Sequence, residues 1–156
     1  SCQRMGPLFR PDNFLCAQSG AGNNWAKGYF SEGPELVDEV LDQIRKEVEP
    51  VEPQAFQLTH SLGGGTGSGL GSLILEKLSE EYSDKLSFIF SVLPGSTNGY
   101  VSDVVTEPYN AVFTLNNLIE NASATFTLEN SAINRICQKN LKIEQPSFAD
   151  INHIIA

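Results

Sequence analysis

Seven residues, Gly63-Gly-Gly-Thr-Gly-Ser-Gly69, join a strand-like run, Ala55–Leu62, to a helix-like run, Leu70–Tyr82. A chain that passes from strand to helix through so many glycines has few folds open to it. Glycine lacks Cβ, so its backbone can turn tightly and lie close against an anion. The helix that follows aims free N–H groups and the positive end of its dipole at the same place. Strand, glycine turn and helix in that order predict a phosphate cradle.

Similar motifs are set aside by spacing. Gly64 and Gly69 have the separation of a Walker loop, but Leu70 stands where its lysine is needed. No glycine triple has the Gly-x-Gly-x-x-Gly spacing of the dinucleotide fingerprint. Thr66 stands two residues before Ser68, so the nucleophile elbow is absent, and Ser68 has no partner to activate it. A flexible linker is a poor reading of a glycine run set between a strand and an amphipathic helix.

The chain has 156 residues and 40 % hydrophobic content, enough for one domain with a real core. Ten basic against 19 acidic residues give a net charge of −9. That balance argues against a nucleic-acid surface and against an anionic membrane. No stretch is apolar for long enough to span a bilayer, and the first ten residues lack the apolar core of a signal peptide. Cys2, Cys16 and Cys137 have no paired spacing and read as free thiols in a reducing compartment. With only His60 and His153 to add, a zinc site is not expected. The chain opens without an initiator methionine and stops at Ile154-Ile-Ala156 inside an apolar pattern, so it reads as an excerpt.

Strands alternate with helices along the chain. Asn13–Gln18 is a short strand candidate, ending in a second glycine-polar loop at 19–24. Pro34–Glu49 reads as a helix, with Leu36, Val37, Val40, Leu41, Ile44 and Val48 on one face and Pro50 and Pro53 ending it. The helix after the glycine run presents Leu70, Leu73, Ile74 and Leu78, and Lys85–Leu93 is a continuous apolar strand. Residues 94–99 form a loop by composition. Glu107-Pro108 opens a helix predicted to turn Val112, Leu115, Leu118 and Ile119 inward. Ala124–Leu128 is a short strand, and Asn130 is placed to cap a helix with Ile133, Ile136 and Cys137 on its face. Past Pro146, Phe148–Ala156 starts another helix.

The pattern predicts an α/β fold, a doubly wound and mainly parallel sheet. Ligands of such sheets bind outside the carboxyl ends of the strands. Each polar loop follows a predicted strand: 19–24, 63–69, 94–103 and Glu129-Asn130. Four loops converging on one crevice are a more specific signal than one glycine run. Asp103 and Glu107, four apart at a helix start, read as an acid–base couple or as helix-dipole complements. His60 in its apolar strand and Trp25 after its loop read as packing residues.

Gly63–Gly69 resembles the glycine signature of the tubulin family, and bacterial relatives of the FtsZ type carry a closely similar run. Phe9-Arg-Pro-Asp-Asn13, Gln18–Gly28, Phe56–Leu62 and Glu107-Pro-Tyr-Asn110 resemble eukaryotic tubulin, and the likeness runs from about Gly6 to Ala156. Asn24-Trp-Ala-Lys27 and Gln57-Leu-Thr-His60 are most similar to the beta class. Gly69–Ser72, Asn134–Ile136 and Pro146–Phe148 are closer to the gamma class.

The resemblance implies the central part of a nucleotide-binding domain, residues 1–156, binding GTP or GDP with Mg2+ held mainly through the phosphates. Ser61, Gly64, Gly65, Thr66 and Gly67 would hold the phosphates. Ala21, Gly22 and Asn23 would sit near the terminal phosphate and sense whether it is there. Asp103 and Glu107 would lie by the ribose, and this is preferred to the two simpler readings of that pair. Asn130 and Asn152 would bond the guanine edge. Phe148 would stack on the base where the beta class usually carries Tyr.

The loop Pro94–Val101 is longer than the family's usual version, which bears on the ribose and on the longitudinal subunit contact. The family's first strand with its nucleotide loop, its magnesium-side acid, its second domain and its acidic tail are expected outside this chain. No catalytic residue is assigned within it, because the family completes hydrolysis with an acid from the neighbouring subunit.

The implied function is that of a GTP-regulated subunit of microtubules in the cytoplasmic cytoskeleton. Its partners would be other tubulin subunits, as an alpha/beta heterodimer and in the lattice, with no nucleic acid and no membrane. A divergent, non-polymerising module that binds nucleotide or tubulin is the alternative. A self-contained hydrolase is opposed by the lack of a positioned base.

Overall fold

The computed structural model describes residues 8–95 and 102–156. Its frame is a parallel sheet of three strands in the order β1 (Ala55–Ser61), β2 (Leu86–Val92) and β3 (Ala124–Leu128). Ala55 pairs with Leu86 and Ser61 with Val92; Phe88 pairs with Ala124 and Val92 with Leu128. Ser61, Val92 and Leu128 therefore end the three strands in one row. Whatever follows each of them emerges at the same edge of the sheet.

Helix α1 (Glu32–Val48) precedes β1, α2 (Gly71–Glu81) joins β1 to β2, and α3 (Glu107–Asn121) joins β2 to β3. After β3 come α4 (Asn130–Lys139) and α5 (Phe148–Ile155). One core lies between sheet, α2 and α3, and contains Leu62, Leu75, Ile89, Ala111 and Leu118. A second joins α1 to α2 through Val37, Leu41, Leu73 and Leu78. A third joins α4 to α5 through Ile133, Cys137 and Ile151. On the opposite face of the sheet, the end of α5 lines a concavity of about 650 Å³ with Thr59, Phe90, Val92 and Leu128. Helices thus meet both faces, as the doubly wound α/β reading expects. Among the described residues Cys16 and Cys137 form no disulfide; Cys2 lies outside them. No described helix is long and apolar enough to cross a membrane.

Four local readings are corrected. Asn13–Gln18 is not a strand: Pro11–Asn13 is a 3-10 turn and the rest has no ladder. Apolar residues can propose a strand, but only a neighbouring strand to bond makes one. Helix α1 does not start at Pro34, because a wide π-helical turn, Lys27–Ser31, leads straight into it. Pro34 has no N–H for the turn before it and its ring crowds that turn's carbonyls, and the wider turn accommodates both. Asn130 is the first residue of α4 rather than its cap; Glu129 holds the cap position and makes no side-chain cap bond.

The fourth correction concerns α3. Val112, Leu115 and Ile119 face outward, with Val112 64 % and Ile119 83 % exposed, and only Leu118 of the expected four is buried. The buried stripe is Asn110, Ala111, Thr114, Asn117 and Leu118. Its members recur at helical spacing as well, and the small ones let α3 approach α2 and the sheet closely. Ile136 on α4 is likewise exposed, while Ile133 and Cys137 are buried. Leu75, which the apolar face of α2 did not include, is the most deeply buried apolar residue of that helix.

Candidate functional site

The edge where the strands end carries the site. Leu62 N–H still donates to Val92 O at 3.0 Å, and the glycine run begins one residue later. Thr66–Leu70 forms a π-helical turn that passes directly into α2. Gly69 N–H closes on Gly65 O at 2.7 Å, and the buried Ser68 hydroxyl donates to Gly64 O. Ser68 is therefore a structural residue of the turn. Among the described residues, none accepts a hydrogen bond from the N–H of Gly63, Gly64 or Gly65. Unpaired N–H groups just before a helix form a nest for an anion.

The second loop comes from the other side. Ala21–Asn24 is a turn closed by Asn24 N–H to Ala21 O at 3.0 Å. Its two middle residues, Gly22 and Asn23, take left-handed backbones at φ +56 and +54, a conformation that glycine and asparagine adopt most easily. Asn24 caps the helical segment beyond, its Oδ1 accepting from Ala26 N–H at 3.0 Å.

The two loops touch at Gly65. A Cβ there would stand 2.6 Å from Asn24 N and 2.7 Å from Ala21 Cβ. The resemblance puts Gly65 among the phosphate holders, where the side left free by its missing Cβ would be expected to meet the anion. Instead that side is filled by the neighbouring loop. Gly64 has the open side, where a Cβ would meet only Asn23 Oδ1, at 3.8 Å.

Ala21, Gly22, Asn23, Gly64 and Gly65 are thus brought together, with exposed Thr66 beside them. Ser61 lies under Gly67, whose Cβ would stand 3.0 Å from both Ser61 O and Oγ. The Glu107 carboxylate lies over Gly63, with Oε1 3.0 Å from where a Cβ would stand. Asp103 is exposed in the segment before α3. Asn130, Phe148 and Asn152 belong to the packed pair α4 and α5, beyond β3. Asn130 follows β3 as Gly63 follows β1, so both leave one edge of the sheet, where the two strands stand about 10 Å apart, two strand spacings. Of the loop 94–101, only Pro94 and Gly95 lie within the described residues.

Two packing residues hold this edge. Trp25 stacks on Tyr29 with ring centroids 4.6 Å apart, lies 5.1 Å from Phe113, and donates from Nε1 to Ser72 Oγ at 3.2 Å. His60 grips the glycine loop from beneath. Its Nδ1 is 2.8 Å from Gly67 O and its Nε2 2.8 Å from Ser91 Oγ. The carbonyl can only accept, so Nδ1 carries the proton and Nε2 accepts from Ser91. Burial lowers the His60 pKa below 6.5, against the smaller opposing pull of the Gly67 carbonyl. A depressed folded pKa means that the unfolded chain takes up the proton first. The stability that neutral His60 contributes is therefore present above pH 6.5 and is lost as pH falls through the folded pKa. Stability measured by denaturant from pH 7.5 downward should decline more in the wild type than in His60→Gln; equal declines would show that His60 does not carry the effect.

The site residue that sequence reasoning missed is Asn110. It is 3 % exposed, in the first turn of α3. Its Nδ2 donates to Asn23 O at 2.8 Å and to Gly63 O at 2.9 Å, and its Oδ1 accepts from Trp25 N–H at 2.9 Å. The available signal was an asparagine on a stripe of small residues in an otherwise apolar helix.

A parallel α/β domain with a glycine nest and a second loop locked against it is a nucleotide-binding type of architecture. The model of the Tubulin/FtsZ family, GTPase domain, matches residues 1–138. The chain is 53 % identical to the tubulin beta-1 chain of Hypocrea rufa and 56 % identical to the tubulin beta-2 chain of Geotrichum candidum, over 97 % of its own length in both. It belongs to the tubulin/FtsZ family and is beta-tubulin-like. The matches cover 34 % and 33 % of those two proteins, so the chain spans about a third of the length of the curated relatives it matches.

Proposed function

We propose that residues 1–156 are the central part of the nucleotide domain of a tubulin subunit that binds GTP or GDP and assembles with other tubulin subunits into microtubules of the cytoskeleton. The observation that carries this reading is the nest: unpaired N–H groups at Gly63–Gly65, an open side at Gly64, and the Ala21–Asn24 turn locked beside it. Backbone donors before a helix suit phosphate oxygens. In this reading Mg2+ is held chiefly through the phosphates. When bound, the ion would neutralise phosphate charge. The protein's own part is to hold the phosphate chain with backbone N–H groups and keep it against the turn.

In this reading Glu107, whose carboxylate lies over Gly63, contacts the ribose. In this reading Asp103 lies on the same side, and Asn130 and Asn152 approach the guanine edge, with Phe148 against the base. The binding groups at the end of β1 and after β3 are far enough apart to hold the two ends of one nucleotide.

Equilibrium binding of GTP, GDP and ATP to the full-length protein tests this. Guanine nucleotides should bind at least ~100-fold tighter than ATP, as expected of a site that hydrogen-bonds the base edge. Equal affinities would remove the guanine assignment, and no binding would remove the whole reading. Asn130→Asp should weaken GTP about tenfold or more relative to other purine nucleotides, because a carboxylate cannot donate to the base. An unchanged preference would show that Asn130 only starts its helix.

A further inference from the structure

We propose that Asn110 is a positioning residue: its carboxamide sets the spacing between the Ala21–Asn24 turn and the Gly63–Gly67 loop, and through it the preference for a nucleoside triphosphate over the diphosphate. The inference rests on the nucleotide reading above.

A primary amide has two N–H donors and one carbonyl oxygen in a rigid plane. At Asn110 both donors and the oxygen are used, each on a different part of the site. One N–H holds Asn23 O, the other holds Gly63 O, and the oxygen takes Trp25 N–H. The three partners lie 87, 47 and 85 residues away along the chain. Because the side chain is buried, a lost amide would leave Gly63 O and Trp25 N–H without their partner and Asn23 O with one donor fewer. Thr106 Oγ1 supports the same Asn23 carbonyl at 2.7 Å from the exposed side.

The consequence for the ligand comes from what those carbonyls belong to. Asn23 is the tip of the turn, and its side chain borders the open side of Gly64. A phosphate chain short enough to rest on the 63–67 nest alone is indifferent to that tip. One long enough to touch both loops is held only if the tip is at the right distance. Asp in place of Asn keeps the size and the bond to Trp25 N–H, but replaces the donating Nδ2 with an acceptor oxygen facing two carbonyls. The turn then moves away from the nest.

Calorimetric titration of the full-length protein with GTP and with GDP decides the matter. The variants are Asn110→Asp, Thr106→Val and, as a control, Asn117→Ala. Asn117 is a second buried asparagine on the same helix, with no bond to either loop. Asn110→Asp should lower GTP affinity about tenfold or more, the scale of a lost buried hydrogen bond, with a clearly smaller loss for GDP. Thr106→Val should shift the GTP-to-GDP ratio the same way by about twofold to threefold. Asn117→Ala should leave the ratio unchanged while lowering stability to denaturant.

An unchanged ratio in both Asn110→Asp and Thr106→Val would overturn the inference and leave Asn110 a structural residue. If Asn110→Asp does not fold by circular dichroism, Thr106→Val decides alone. Wild-type protein that binds neither nucleotide would overturn the nucleotide reading and this inference with it. Wild type that prefers GTP while the variants keep that preference would overturn this inference only.

Discussion

Gly64→Ala is expected to leave the fold intact and to cost the full-length protein about 100-fold or more in affinity for guanine nucleotide. A Cβ at Gly64 meets nothing in the protein closer than Asn23 Oδ1 at 3.8 Å, so the chain has no reason to move. The methyl group projects into the space where a phosphate would lie against the nest. Holding the anion off weakens charge-assisted hydrogen bonds of about 1.5–3 kcal/mol each, and two of them reach the predicted factor. Gly65→Val is expected to behave differently. Its side chain would be driven into Ala21 and Asn24, and overpacking of this kind costs about 1–3 kcal/mol of stability. Nucleotide binding would go with it, because the loops are forced apart. Denaturant unfolding without nucleotide, beside nucleotide titration, separates the two. If Gly64→Ala binds as the wild type does, the phosphates are not on the open side of that residue.

Leu75→Ala is expected to have the largest effect on stability, about 2–5 kcal/mol, the range for a fully buried leucine cut back to the β-carbon. Leu75 is 1 % exposed and packs where α2, α3 and the sheet meet, with Leu62, Ile89 and Leu118. The same pocket holds Leu62, the residue that leads into the glycine run, so the void opens directly beneath the site. Leu73→Ala, on the side of α2 toward α1, removes the same number of atoms and should cost less, since Leu73 is 7 % exposed. Chemical denaturation of both variants checks the order. Equal costs would mean that the two sides of α2 are packed equally well.

Several features of the fold were legible because they are local. The glycine run marks itself, since closely spaced glycines between a strand and a helix are a short-range signal. Strand β2 and helix α2 announced themselves by length and period. Helix α3 was found, but with the wrong side turned inward. Its sequence holds two stripes at helical spacing, one of large apolar residues and one of Asn110, Ala111, Thr114, Asn117 and Leu118. Periodicity finds a stripe and cannot say what lies opposite it. The closely packed stripe is the small one, because α2 and the sheet leave no room for more. Asn13–Gln18 failed for a related reason, since a strand is a relation between two segments.

The sequence by itself determined the alternating α/β pattern, the family, and the glycine nest with the residue types that surround it. These follow from backbone freedom, side-chain period and short motifs, all of which act over a few residues. The tertiary structure alone decided which side of each glycine is free, which stripe of α3 is buried, and that Asn110 ties the two loops together. Those outcomes depend on hydrogen bonds and contacts between residues as far apart as Asn23 and Asn110, a separation of 87 positions over which local pattern carries no information.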